Sequence, residues 1–101
     1  MFGLSEKTIT YIHAILKKYP SITKAIIYGS RAKGNYKAGS DIDLTLFGVN
    51  LTLSELLNIY DELDDSFLPY TFDISIFDDL KEPDLKEHIT QVGKIFYSKE
   101  V

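Results

Sequence analysis

The sequence predicts an α/β chain of the α+β kind: one small mixed β-sheet with helices packed on one face. Two observations carry this. Three short segments rich in β-branched and aromatic residues, "KAIIYGS", "DIDLTLF" and "YTFDISIFD", read as strands, and three longer ones repeat apolar residues at three- and four-residue steps. The second is size. A chain of 101 residues with 45% hydrophobic composition can fill one compact core, so residues 1–101 are read as a single domain with no internal boundary.

Ser5 suits the N-cap of a first helix in which Ile9, Ile12 and Leu16 recur, and Pro20 with Ser21 ends it. "KAIIYGS" is a buried strand cut off by Gly29. "RAKGNYKAGS" is a loop with room for one helical turn before Gly34. In "DIDLTLF" the alternation puts Ile42, Leu44 and Leu46 on one face and Asp41, Asp43 and Thr45 on the other. "TLSELLNIYDELDD" opens with Thr52 and Glu55 at capping-box spacing, and Leu53, Leu56, Leu57, Tyr60 and Leu63 are expected along its inward stripe. "YTFDISIFD" alternates again, with Phe72, Ile74 and Ile76 inward and Thr71, Asp73 and Ser75 opposite. Pro83 fits the first turn of a last helix that turns Leu85, His88, Ile89 and Val92 inward and ends at Gly93. "KIFYS" is either a short edge strand or a helix extension. The sheet face carrying the three aspartates is expected to stay open.

Two carboxylates at i and i+2 on one strand face the same way and repel, so a cation belongs beside them. Magnesium or manganese prefers such oxygen ligands, and Asp73 would complete a site for two ions arranged for in-line phosphoryl displacement. Gly29 and Ser30 form a sharp turn after a strand, which offers backbone N–H groups and a hydroxyl to phosphate. Together these residues describe a metal-bound nucleoside triphosphate presented to an incoming hydroxyl.

Gly29-Ser30-Arg31-Ala32-Lys33-Gly34, then Ser40-Asp41-Ile42-Asp43-Leu44 and later Phe72-Asp73-Ile74, resemble the minimal nucleotidyltransferase (MNT) family of the DNA polymerase beta superfamily. The resemblance spans nearly the whole chain and implies the nucleotidyltransferase (polymerase beta-like) fold. It implies that Gly29 and Ser30 bind the nucleotide phosphates, that Asp41 and Asp43 ligate both metals, and that Asp73 helps hold the catalytic metal and activates the acceptor hydroxyl. Lys33 departs from the arginine frequent in the family, giving up a bidentate phosphate donor but keeping the charge. The resemblance further implies Mg²⁺ (or Mn²⁺) as cofactor and ATP as substrate. It implies a HEPN-domain protein as partner, in a toxin–antitoxin pair where a tyrosine of the partner is adenylylated. The core elements use up the chain, so the acceptor side is expected from another polypeptide; a homodimer is left open. Two alternatives stand beside this reading: a non-catalytic nucleotide-binding module that neutralises its partner by occlusion, and transfer to a small-molecule acceptor.

The other polar residues have plainer readings. Arg31 and Lys33 are either phosphate contacts or solvated loop charges, Tyr36 either a base-stacking ring or a shield for the loop, and His13 and His88 structural. Asp61, Glu62, Asp64 and Asp65 read as a solvated acidic run. The formal net charge of −4 gives no field for long nucleic acids. The charged first segment suits neither a signal peptide nor a membrane span, so a cytoplasmic location is expected. There is no cysteine, hence no disulfide, thiolate metal site or thiol nucleophile.

Overall fold

The computed structural model describes residues 1–37 and 41–99. Its elements are α1 (Glu6–Lys17), β1 (Lys24–Tyr28), the single turn α2 (Ser30–Lys33), β2 (Ile42–Phe47), α3 (Leu53–Asp64), β3 (Phe72–Ile76), α4 (Pro83–Val92) and β4 (Lys94–Ser98), with a 3₁₀ turn at Phe77–Asp79. "KIFYS" is thus a strand. The four strands form one mixed sheet in the order β3-β2-β1-β4. β1 runs antiparallel to β2 and β4, while β2 and β3 are parallel and joined through α3.

Local chemistry starts the helices where expected. The Ser5 side chain accepts the Thr8 N–H, and Thr52 and Glu55 form a complete capping box at the start of α3. Pro83 occupies the first turn of α4. The core lies between the sheet and α1 with α3: Ala25 and Ile27 of β1, Ile42, Leu44 and Leu46 of β2 and Phe72 of β3 meet Ile12 and Leu16 of α1 and Ile59 and Leu63 of α3.

Two expectations are corrected by this packing. Leu53, Leu57 and Tyr60 do not join the buried stripe of α3 but stand exposed, because Ile59 and Leu63 take the inward positions with Leu56 at their edge. The second face of the sheet is also only partly open. Ile89 of α4 and Gly93 just after it back onto Ile26, so α4 covers the end of that face around Lys24, Ile26 and Phe47. At the opposite end, among the described residues, Asp41 and Asp73 are exposed.

Glu62 is not part of a solvated run. It receives Lys18 Nζ at 2.6 Å and the Tyr19 hydroxyl at 2.5 Å, tying α3 to the end of α1. These bonds hold its carboxyl below the usual range, while burial, then the hydrogen bond to Glu62, pushes Tyr19 up to about 12. The signs give two pH windows. The Glu62 contribution is present above its ordinary carboxylate pKa and is lost as pH falls through the depressed one. The Tyr19 contribution is present below the ordinary phenol pKa and is lost as pH rises through its raised one. Glu62→Gln is expected to lower stability by about 1 kcal/mol at neutral pH, the pair with Lys18 being partly exposed. Its difference from wild type should shrink in acid, which thermal melts at several pH values would check.

Candidate active site

The site is built where β1 ends and β2 and β3 begin. Asp43 stands in register with Tyr28 on its antiparallel neighbour and with Asp73 on its parallel neighbour. Alternation then fixes the face: Asp43, Asp73 and Tyr28 lie on the side away from Ala25, Ile27 and Leu44, with Thr45 and Ser75 one step below. Asp41 precedes β2 and is exposed, Asp73 is exposed, and Asp43 is half-buried. Burial, then Asp73 and Asp41, pushes the Asp43 carboxyl above its ordinary range.

Gly29 closes the opposite wall. Its φ of 76° and ψ of −152° belong to a region reserved for glycine, and a Cβ placed there would come within 2.5 Å of Asp43 Oδ2. The strand therefore turns at Gly29 directly against the carboxylate. Ser30 opens α2 immediately after, and the first N–H groups of a helical turn have no partner within the turn. The structure thus brings together Gly29, Ser30, Asp41, Asp43 and Asp73. Ser40 lies outside the described residues.

Among the described residues no three His, Asp or Glu side chains converge into a formed metal-binding set. The fit to a divalent cation rests on donor chemistry: three carboxylates at one sheet end, one of them held at a cost by burial and then by the others, would supply oxygen ligands and negative charge of the kind magnesium takes.

Thr45 and Ser75 were placed on the aspartate face by alternation but given no part in the site, and Tyr28 was not foreseen there. Ser75 Oγ donates to the fully buried Thr45 Oγ1 at 2.9 Å, and the Ser75 side chain also meets the Tyr28 hydroxyl. Burial, then Asp73 and Asp43, pushes the Tyr28 phenol up, which keeps it protonated beside the carboxylates. The available signal was parity along the strands.

Other polar residues settle into structural positions. Arg31 is buried, with Nη1 donating to the Phe2 carbonyl at 2.9 Å and the guanidinium over the rings of Tyr70 and Tyr36 at 4.9 and 5.4 Å. That packing uses it to hold the N-terminal segment, and Lys33 remains exposed. The Tyr36 ring lies against Gly3, as a shield would. His13 Nε2 lies 2.6 Å from the Phe96 carbonyl, linking α1 to β4. Among the described residues no helix is long and apolar enough to cross a membrane.

The model of the family described as "Polymerase beta, Nucleotidyltransferase" matches residues 10–101. No curated protein matches the sequence. Among solved structures, the chain resembles one described as a toxin-antitoxin with AMP-PNP, at 19% identity and a TM-score of 0.73 over 96% of this chain and 76% of that one. It also resembles a chain of the toxin-antitoxin MntA-HepT, at 16% identity and a TM-score of 0.70 over 94% and 74%. A third likeness is to a chain from the tri-AMPylated Shewanella oneidensis HEPN toxin in complex with MNT antitoxin, at 18% identity and a TM-score of 0.66 over 98% and 74%. At these identities the likeness is one of fold.

Proposed function

The chain belongs to the polymerase beta nucleotidyltransferase family, and from that premise we propose that it transfers AMP from ATP to a hydroxyl of a HEPN-domain protein, as the antitoxin of a toxin–antitoxin pair. The observation that carries the reading is the register: Asp43 opposite Asp73 across parallel strands, with the Gly29 turn backed onto Asp43. The choice of AMP and of a HEPN acceptor is supported by the fold neighbours, which include a toxin-antitoxin with AMP-PNP and a tri-AMPylated HEPN toxin with its MNT antitoxin.

In this reading the N–H groups around Ser30 and its hydroxyl seat the terminal phosphates of ATP, and Asp41, Asp43 and Asp73 would hold magnesium. When bound, magnesium neutralises phosphate charge and makes the α-phosphorus more electrophilic. Asp73, exposed at the rim, orients the acceptor hydroxyl and takes up its proton. The acceptor oxygen bonds to the α-phosphorus as the bond to the bridging oxygen breaks, and pyrophosphate leaves. Asp43, deeper and crowded by its neighbours, needs a counter-charge most.

A thermal-shift titration tests the paired requirement. Carboxylates and phosphates repel, so ATP and Mg²⁺ together are expected to raise the melting temperature by more than the sum of each alone; saturation near one hundred times Kd stabilises by about 2.7 kcal/mol. Strictly additive or absent shifts would count against the site.

A further inference from the structure

The outer face of α3 has no role in the fold. Leu53, Leu57 and Tyr60 are 64%, 54% and 37% exposed, and their spacing of four and three residues aligns them in one stripe about 10 Å long. Asp64 continues that stripe and Asp61 flanks it, while Phe67, three residues beyond the helix, is wholly exposed. A soluble helix gains nothing by showing water three large apolar side chains in a row.

The charges say what kind of surface covers them. The last turns of α3 carry Asp61, Glu62 and Asp64, with Asp65 at the C-cap and no basic residue in the last turn. Carboxylates at a helix C-terminus oppose the macrodipole and are held at a cost. Glu62 is matched by Lys18 and Tyr19. Among the described residues, the side chains of Asp61, Asp64 and Asp65 meet no cation. An apolar stripe that ends in unmatched carboxylates is complementary to a helix with its own apolar stripe and lysines or arginines at one end. A second copy of this chain fits poorly, since each copy has a net charge of −4 and α3 contains no basic residue to answer the acids.

We propose that the Leu53–Leu57–Tyr60 stripe of α3, with Asp61 and Asp64, is the docking surface for a basic amphipathic helix of a protein partner. It lies on the side of the sheet that α3 covers, and Asp43 and Asp73 lie on the other face. The inference rests on the reading that this chain works on a protein, and its test uses no nucleotide, so failure of docking and failure of transfer are read separately.

The test titrates the isotope-labelled full chain with three synthetic 18-residue peptides, followed by amide chemical shifts. One has leucines at the same spacing with lysines at one end, one has glutamates in place of those lysines, and one is the lysine peptide scrambled. Saturable shifts confined to residues 53–67 with the lysine peptide alone are expected. The exposed-face variant Leu57→Ser with Tyr60→Ser should weaken binding at least about tenfold with unchanged melting. Asp61→Lys with Asp64→Lys should reverse the preference toward the glutamate peptide, which keeps the proposal testable even if the first variant misfolds. Equal binding of all three peptides, shifts centred elsewhere, or no binding would overturn it. So would concentration-dependent self-association lost in the Leu57→Ser, Tyr60→Ser variant, because a second copy would then be the occupant.

Discussion

Replacing Asp43 with asparagine is expected to abolish nucleotidyl transfer, by at least about a thousandfold, while leaving a folded protein that is slightly more stable than wild type. The two effects have one cause. Asp43 is half-buried between Asp73 and Asp41 and its carboxyl is pushed above the ordinary range, so its charge is held against burial and repulsion. A folded-state pKa above the unfolded one means that the folded chain binds the proton more tightly, and stability is lost as pH rises through that range. Asparagine removes this loss in nearly the same shape. The gain should be about 2 °C in melting temperature at neutral pH and should vanish in acid, where wild-type Asp43 is protonated. A residue retained for stability would show the reverse. If Asp43→Asn lost activity only by melting, the assignment would fail.

Gly29→Ala is expected to be the more damaging change to structure. Its backbone sits where only glycine is at ease, and the added methyl would press on Asp43 Oδ2. Strain of this kind costs about 1–3 kcal/mol, which corresponds to at least about 4 °C in a domain of this size. The collision also moves the carboxylate and the turn that opens α2, so transfer should be lost as well. Gly34→Ala is the control: its φ is 86°, but a Cβ there meets nothing within 4 Å. It should cost about 1 kcal/mol for the left-handed backbone alone and retain transfer. Equal transfer by the two variants would remove Gly29 from the site.

The shared placement of Asp43 and Asp73 was legible in the sequence because it is written in strand alternation, the pattern of shortest period. Asp41 and Asp43 share a face by parity, and the single further step, that Asp73 lies opposite Asp43, follows once "DIDLTLF" and "FDISI" pair in parallel. The crossover helix between them makes that pairing natural. The stripe of α3 was less legible. The leucines and tyrosine of α3 as a whole spread over more than one face, and which face is covered depends on where α1 and β3 stand, which no window of sequence contains. Glu62 looked solvated for a similar reason, its partners Lys18 and Tyr19 being more than 40 residues away. Arg31 lies next to the Gly29–Ser30 turn in sequence, yet its side chain is drawn inward by the Phe2 carbonyl and two tyrosine rings. Tyr28 was passed over because an aromatic residue at the end of an apolar strand reads as core. Its phenol is instead turned to Ser75 and the aspartates.

The measurement that tests the central proposal most directly is the intact mass of a HEPN-domain protein offered as the acceptor. That protein is incubated with ATP, Mg²⁺ and either the wild-type chain or Asp43→Asn. The expected result is a gain of one or more whole adenylates on the partner with the wild-type chain, mapped to a hydroxyl side chain, and no gain with Asp43→Asn. A partner of unchanged mass, held in a stable complex that still blocks its activity, would contradict transfer and leave occlusion as the function of this protein.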